Sequence, residues 1–215
     1  VLSVMNGFER EVRERILSMT AHATISGPDG SLHEDWRALS ARVSRSPHVV
    51  GVAPYIQREA MLTRGTRVHG ALLRGMDPQE ETKVSDIAKF MKFGSLGALQ
   101  PGQFNIILGI GLARTLAAQI GSKVTVVAPQ AVVTPAGVAP RLKRFTVAGI
   151  FEAEHGQYDG SLALIHMDDA AKLLRYDDGI GGLRLKLDNP MLAPWTSRDV
   201  AAGLGAAAAG GQNVR

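Results

Sequence analysis

Two apolar runs separated by a proline-rich connection constrain the fold of this chain more than any other feature. Residues 124–127 and 145–150 are rich in β-branched side chains, which suit a half-buried strand. The connection between them, 129–140, carries three prolines and is roughly twice as long as an ordinary hairpin loop of two to five residues. The sequence predicts strand, stiff loop, strand. Such a loop is either functional or a solvated surface turn.

The charge around this hairpin has one sign. The whole chain has 24 basic and 20 acidic residues, a modest net charge of +4. Between Ile87 and Phe151, however, there is no acidic residue. Such a segment presents a positive field to an acidic partner or to anionic lipid. The cations in it are Lys89, Lys92, Arg114, Lys123, Arg141, Lys143 and Arg144.

Composition narrows the class of protein. A length of 215 residues fits one large domain or two small ones. Aromatic residues make up 5% of the chain, which argues against nucleic-acid binding by base stacking. The absence of cysteine excludes disulfides and thiolate metal sites. No apolar run is long enough to span a bilayer, no secretory signal is visible, and the start at Val1 predicts a segment excised from a longer protein.

The chain as far as Leu73 predicts a small α+β layer. Residues 1–19 repeat apolar side chains every three or four positions, which predicts an amphipathic helix that faces the core or connects to the membrane. Ser31 and Glu34 form a capping box for the next helix. The predicted strands are 23–26, 48–53 (ended by Pro54), 55–63 and 67–73, with a turn at Arg64-Gly65-Thr66 joining the last two.

A boundary is predicted at Asp77-Pro78, where Asp77 caps a helix that carries Val84, Ile87, Phe90 and Met91. Residues 94–102 are predicted to be a link. The remaining elements are a strand at 104–108, a helix at 110–120 capped by Gly121, a strand at 162–165, a helix capped by Asp168, a strand at 183–187 with its basic side chains outside, and an Ala/Gly-rich tail from 201 to 211.

No arrangement of catalytic residues or metal ligands is visible in the sequence. The six histidines show no metal-ligand spacing, and no Gly-x-Ser-x-Gly motif exists. Gly109-Ile-Gly111 would need a third glycine where Arg114 stands, so it predicts a tight turn rather than a dinucleotide loop. Tyr158-Asp159-Gly160 is typical of a turn. We therefore expect no metal, no cofactor and no enzymatic activity.

Motifs spread over the chain resemble the periplasmic domain of lipoprotein-releasing ABC transporter permeases of the LolC/LolE type. The most specific segment is Leu2-Ser-Val-Met-Asn-Gly-Phe-Glu9, which is similar to the junction after the first transmembrane helix of that family. The resemblance covers residues 1–189. The other motifs are Val52-Ala53-Pro54, Gly75-Met-Asp-Pro78, and Pro101-Gly102 leading to Ile107-Leu-Gly-x-x-Leu-Ala113.

The resemblance implies an α+β fold with two small subdomains. A discontinuous, membrane-proximal subdomain would comprise residues 1–77 and 180–215, the latter with the tail. An inserted subdomain, residues 78–179, would carry a long protruding β-hairpin at 129–144, called the hook in the LolC-like branch.

The resemblance also implies a function. Such a permease lies in the bacterial inner membrane with this segment in the periplasm, and it releases lipoproteins destined for the outer membrane. The hook recruits a soluble periplasmic chaperone of the LolA type. Further implied partners are the lipoprotein, a second permease subunit (LolE type or an identical copy) and a cytoplasmic subunit that hydrolyses ATP. No nucleic acid is implied.

The residues that the resemblance assigns to chaperone binding lie at the tip and on the returning strand. The prolines and glycine would shape the tip, while Lys143 and Arg144 would attract an acidic rim. Leu142 stands where the branch tends to have a polar side chain, and Thr125 where a second arginine would complete the basic pad. The predicted site is Pro135, Gly137, Val138, Pro140, Arg141, Leu142, Lys143 and Arg144.

Two other functions remain open from the sequence. A macrolide-exporter-like or cell-division-type permease would use the same surface for another periplasmic partner. A free-standing enzyme or ligand-binding protein would need a polar pocket near His155 and Tyr158.

Overall fold

A computed structural model of the chain describes residues 22–26, 32, 35–134, 137–153, 156–176, 179–189 and 213–214. The predicted helix at 1–19 and most of the Ala/Gly-rich tail lie outside the described residues. The helices are α1 (Trp36–Val43), α2 (Pro78–Val84), α3 (Ile110–Thr115), α4 (Gly156–Ser161) and α5 (Met167–Leu174), with 3₁₀ turns at Ile87–Phe90 and Leu96–Ala98. The strands are β1 (Ala23–Ser26), β2 (Val49–Arg64), β3 (Arg67–Met76), β4 (Met91–Gly94), β5 (Asn105–Gly109), β6 (Lys123–Thr134), β7 (Gly137–Phe151), β8 (Leu162–His166), β9 (Gly182–Leu187) and β10 (Asn213–Val214).

All of these strands belong to one mixed sheet. Its order is β10-β1-β9-β2-β3-β8-β5-β7-β4, and β6 pairs with both β2 and β7. The hydrogen-bonded order therefore returns to β2 through β3, β8, β5, β7 and β6, which closes a ring of six strands. The pairs β3–β8 and β5–β7 are parallel, and the remaining pairs are antiparallel. Helices and a largely antiparallel sheet share one chain, which confirms the predicted α+β class.

The long strand β2 corrects the predicted break at Pro54. β2 runs without interruption through this proline, which pairs with Leu183 of β9. Pairing of β2 with β3 begins only at Tyr55, opposite Met76. Among the described strands, Pro54 therefore has a neighbour on one side only. The missing N–H is tolerated because the other side needs no ladder hydrogen bond. The predicted turn between β2 and β3 is confirmed, and Gly65 adopts φ +59° in it.

Three groups of buried side chains form the core. The largest fills the space between the six-strand ring, α3 and α5 and includes Phe145. The second joins α1 and β1 near the start of the chain to β9 near its end. The third lies under the 3₁₀ turns and contains Phe151. The second group agrees with a layer built from both chain ends. β3 belongs to the predicted membrane-proximal subdomain and pairs with β8 of the predicted inserted subdomain, so one sheet crosses the boundary between them. The subdomain boundaries at 77–78 and 179–180 therefore remain predictions.

The described helix caps confirm one prediction and correct another. The carboxylate of Asp35 accepts from the N–H groups of Arg37 and Ala38 at 3.2 Å and starts α1, whereas Ser31 and Glu34 of the predicted capping box lie outside the described residues. His166, not Asp168, caps α5, because its Nδ1 accepts from the N–H of Asp168 at 3.2 Å. The cap at Asp77 is confirmed, with its Oδ1 2.8 Å from the N of Gln79.

α3 is shorter than predicted. It ends at Thr115, and Ala117 takes the left-handed conformation at φ +47°, so Gly121 is not its cap. Six residues suffice here because the apolar side chains of Leu112 and Leu116 are already fully buried. Gly121 instead adopts φ +83° in the turn before β6.

The segment after α2 is more structured than predicted. α2 ends at Val84, so Ile87 and Phe90 lie in a separate 3₁₀ turn and Met91 begins β4. The predicted link at 94–102 contains a second 3₁₀ turn, anchored by the buried side chains of Leu96 and Leu99. Burial of these apolar side chains in the third group overrides the local glycine and proline signals.

A buried ion pair contradicts the predicted outward orientation of the basic residues on β9. Arg184 is 4% exposed, and its Nη1 donates to Oε1 of Glu81 on α2, which is 1% exposed. Arg74 on β3 is also buried, and its Nε donates to the Gln57 side chain at 2.9 Å. Burial, followed by the charge of Arg184, lowers the pKa of Arg74 to about 10. One buried carboxylate thus pairs with Arg184 and also acts favourably on the charge of Arg74.

The imidazole of His22 connects the start of β1 to β9. Its Nδ1 accepts from the N–H of Leu187 at 3.0 Å. Burial lowers the pKa of His22 below its usual 6.5, the charge of Lys186 acts in the same direction, and a backbone hydrogen bond with Leu187 opposes both. The neutral form is therefore the one that the fold favours.

We expect this residue to make the domain less stable in mild acid. Because the folded-state pKa of His22 is lowered, the unfolded chain binds its proton first as the pH falls, and stability decreases below the unfolded pKa of about 6.5. A His22→Gln variant should lose less stability than the wild type between about pH 7 and pH 5, measured by thermal unfolding. An equal loss in both proteins would contradict this role.

Candidate docking hairpin

The hairpin of β6 and β7 is longer and more regular than predicted. The strands at 124–127 and 145–150 are confirmed, but the predicted loop at 129–140 is wrong, because backbone pairing continues from Lys123 opposite Thr146 to Thr134 opposite Gly137. Only two residues, 135 and 136, separate the strands, and Pro135 lies outside the described residues. The prolines did not end the strands because neither Pro129 nor Pro140 has a strand neighbour on its outer edge among the described residues.

A β-bulge divides the hairpin into a base and a distal part. Ala128 pairs with Arg141, but the next pair is Ala131 with Pro140, so residues 129 and 130 of β6 have no counterpart on β7. Pro129 therefore falls at a position that needs no ladder hydrogen bond. Bulges bend and twist a strand, so this one sets the direction of the distal part relative to the sheet.

The distal part pairs only with itself among the described strands. β2 pairs with β6 only at Thr125–Val127, and β5 pairs with β7 only from Thr146 onward. From residue 131 to Pro140 the outer edges of both strands thus have no strand neighbour in the described part of the chain. Exposed strand edges offer backbone donors and acceptors to a partner.

The basic positions of β7 lie on two faces of the hairpin. Side chains alternate along a strand, so Arg141 and Lys143 share a face with the fully buried Phe145. Leu142 and Arg144 point to the opposite face. Lys143 and Arg144, which the sequence assigns jointly to one contact, are therefore separated by the thickness of the sheet.

The face of Arg141 and Lys143 adjoins α5. A groove of about 350 Å³ lies between β7 and α5. The Nζ of Lys143 lies 3.9 Å from the ring centre of Phe104, which itself packs edge-on against Phe145 at 5.6 Å. This face thus combines cations with an aromatic ring. Its lining is Phe104, Arg141, Leu142, Lys143, Lys172, Leu173 and Arg175.

The opposite face carries an exposed apolar row beside Arg144. Met61, Val127 and Leu142 form one row across β2, β6 and β7, since Met61 pairs with Val127 and Val127 with Leu142. Leu142 is 63% exposed and Met61 50%. Next to this row is an open groove of about 760 Å³ that Met61, Val127 and Pro140 help to line. Exposed apolar surface of this kind is typical of an interaction site.

The structure thus brings together Arg141, Leu142, Lys143 and Arg144 at the hairpin base, and Pro140 is the adjoining residue of the distal part. Gly137 and Val138 belong to the distal part, where Val138 pairs with Val133. Sequence reasoning missed Phe104, Met61, Lys172 and Arg175. Lys172 lies in the last turn of α5, and Arg175 is the cap that follows it, in the left-handed conformation at φ +51°. The available signal was the pair of cations at the predicted end of this helix.

The glycine pair after β5 has a packing role. A Cβ atom at Gly109 would lie 2.5 Å from the carbonyl oxygen of Asp159, and one at Gly111 would lie 2.9 Å from it. The buried carboxylate of Asp159 accepts from the N–H of Ala153 at 2.7 Å. These contacts explain both glycines by the close approach of α4 to the strand-to-helix turn. His155, which the ligand-binding hypothesis requires, lies outside the described residues.

The described part of the chain lacks two features, a cluster of metal ligands and a membrane-length apolar helix. The described residues contain no group of three or more His, Asp or Glu side chains that could hold a metal ion. In the same part of the chain, no helix is long and apolar enough to cross a membrane.

The fold is shared with extracytoplasmic domains of ABC-type transporters. The extracellular domain of the transporter YknZ from Gram-positive bacteria matches with a TM-score of 0.59 and 11% identity, over 89% of this chain and 98% of that one. The periplasmic region of MacB from Actinobacillus actinomycetemcomitans matches with a TM-score of 0.56 and 12% identity, over 95% and 93%. The family model described as MacB-like periplasmic core domain matches residues 1–199. The chain belongs to this family.

Curated relatives are more specific. The chain is 46% identical over 186 residues to the lipoprotein-releasing system transmembrane protein LolC of Xylella fastidiosa, covering 86% of this chain and 44% of that protein. LolC of Neisseria meningitidis is 44% identical over 90% of the chain and 46% of its own length. LolE of Haemophilus influenzae is 32% identical over 89% and 47%. The chain spans about half the length of these relatives, and the predicted resemblance to the LolC/LolE type is confirmed.

Proposed function

We propose that this chain is the periplasmic domain of an inner-membrane ABC permease that releases lipoproteins destined for the outer membrane. Its own task is to recruit a soluble periplasmic chaperone of the LolA type through the β6–β7 hairpin. The observation that carries the proposal is the distal hairpin, residues 131–140, whose outer edges have no strand neighbour among the described residues. The similarity to proteins named lipoprotein-releasing system transmembrane protein supports it.

The geometry of the hairpin suits reversible docking. A paired and proline-containing hairpin loses less conformational entropy on binding than a flexible loop. The bulge at residues 129–130 and the pairing of β6 with β2 hold its base in a fixed direction. Pro135, Gly137, Val138 and Pro140 would form the tip, and Arg141, Leu142, Lys143 and Arg144 would contact the partner at the base.

The wider assembly follows from the same family. A second permease subunit, a lipoprotein and a cytoplasmic ATPase subunit would complete the transporter. Hydrolysis of ATP would occur on that subunit, so this domain would not be catalytic. Movement would reach the membrane through the helix predicted at residues 1–19.

Reversing two charges at the hairpin base tests the electrostatic part of the proposal. A Lys143→Glu/Arg144→Glu variant should bind the chaperone about tenfold more weakly at low salt, because exposed charges steer association and like charges repel. The difference should shrink at about 1 M salt, where the screening length is about 3 Å. Calorimetric titration of this chain with the purified chaperone measures both values.

The matched control places the same change of charge elsewhere. Arg42 and Arg45 are exposed residues at the end of α1, which packs on the second group of the core. An Arg42→Glu/Arg45→Glu variant should bind like the wild type at every salt concentration. Equal affinity of the Lys143→Glu/Arg144→Glu variant and this control at low salt would exclude a charged contact at the hairpin base.

Membership of the MacB-like family favours a second candidate function. A MacB-like exporter domain would present the same hairpin to another periplasmic protein. In that case the LolA-type chaperone would not bind at any salt concentration.

A further inference from the structure

The groove between β7 and α5 is lined by four cations and one aromatic ring. β7 contributes Arg141 and Lys143, and α5 contributes Lys172 and Arg175. The side chains of Lys143, Lys172 and Arg175 are exposed, while Phe104 and Leu173 form an apolar floor. Four like charges in one groove repel each other and attract an anion.

None of the described residues that line the groove is acidic. The nearest carboxylate on α5, Asp169, is fully buried, and its oxygens accept from the N–H groups of Gly102 at 2.8 Å and Phe104 at 3.0 Å. Asp168 is exposed at the start of α5, 3.9 Å from the Nδ1 of His166. Each carboxylate of α5 therefore already has a described neighbour: backbone N–H groups for Asp169 and the imidazole of His166 for Asp168.

One donor in the groove has no partner. The Nε of Arg141 is buried and makes no hydrogen bond among the described residues. A buried donor without a partner costs free energy, and a rotation of the Arg141 side chain toward an incoming carboxylate oxygen would remove that cost. Guanidinium groups bind carboxylates in two-pronged pairs, for which Arg141 and Arg175 are both suited.

We propose that the β7–α5 groove binds carboxylate side chains of the same periplasmic chaperone, so that Lys172 and Arg175 belong to the docking surface. This rests on the proposed function and extends it from the hairpin to α5. The groove begins at the hairpin base, where Arg141 and Lys143 are part of both surfaces. A partner that grips the distal hairpin on this face would meet the α5 cations at the same time.

The test uses a Lys172→Glu/Arg175→Glu variant, with Arg42→Glu/Arg45→Glu as the matched control. Both pairs are exposed, three residues apart and at the end of a helix, so the changes in charge and in helix dipole are alike. Calorimetric titration with purified chaperone should show about tenfold weaker binding for the α5 variant at low salt and no change for the control. Combined with Lys143→Glu, the loss should be smaller than the sum of the separate losses in free energy, because both variants disrupt one contact.

The outcomes separate this inference from the proposed function. If the α5 variant binds like the control while a variant with a shortened hairpin does not bind, the groove inference is wrong and the proposed function stands. If both bind like the wild type, the proposed function is wrong as well. A third arm measures flotation with phosphatidylglycerol vesicles. Loss of vesicle binding in the α5 variant, with unchanged chaperone affinity, would assign the groove to a membrane surface and overturn the inference.

Discussion

A Glu81→Met variant is expected to be destabilised by about 3–5 kcal/mol, the usual cost of removing one partner of a buried ion pair. Glu81 accepts from Arg184 in a described ion pair, and both side chains are almost completely buried. Without it, the buried guanidinium groups of Arg74 and Arg184 would lose a favourable nearby negative charge and would still repel each other. Urea unfolding followed by circular dichroism measures the difference.

The reciprocal change should cost less. In an Arg184→Met variant, Glu81 keeps the favourable charge of Arg74, so part of the compensation remains. A Glu81→Met/Arg184→Met double variant should be less destabilised than the sum of the two single variants, because it leaves neither member of the pair unpaired. Additive losses, or a loss below about 1 kcal/mol for Glu81→Met, would show that the pair does not hold α2 against β9.

Shortening the hairpin should abolish chaperone binding and leave the fold intact. Residues 129–140 would be replaced by Asn-Gly, which joins Ala128 to Arg141 through a two-residue turn suited to antiparallel strands. The described core stops at Ala128 on β6 and resumes at Phe145 on β7, so no described core side chain is removed. The unfolding midpoint should therefore stay within a few degrees of the wild-type value.

The hairpin shows what local sequence can and cannot determine. The β-branched runs at 124–127 and 145–150 predicted both strands of its base. The prolines predicted a loop, yet Pro129 lies in a bulge. Pro140 pairs with Ala131, and its outer edge has no strand neighbour among the described residues. Proline forbids one hydrogen bond rather than strand geometry, so only the position of neighbouring strands decides its effect. That information is not local.

The same limit applies to charged residues. Arg184 follows the alternation of an exposed strand, but its partner Glu81 lies 103 residues earlier in the chain, and the pairing depends on how α2 packs. Lys172 and Arg175 fit the role of helix-terminal cations, and only the packing of α5 beside β7 places them with Arg141 and Lys143. Periodicity predicted strands such as those at 124–127 and 145–150, whereas the contacts between elements required the fold.

Titration of the wild-type chain and the hairpin-shortened variant with the purified LolA-type chaperone tests the central claim most directly. We expect saturable binding to the wild type at low salt and no measurable binding to the shortened variant, although both unfold at nearly the same temperature. Equal binding to the two proteins would contradict a docking role for the β6–β7 hairpin. Absence of binding to the wild type would contradict recruitment of this chaperone altogether.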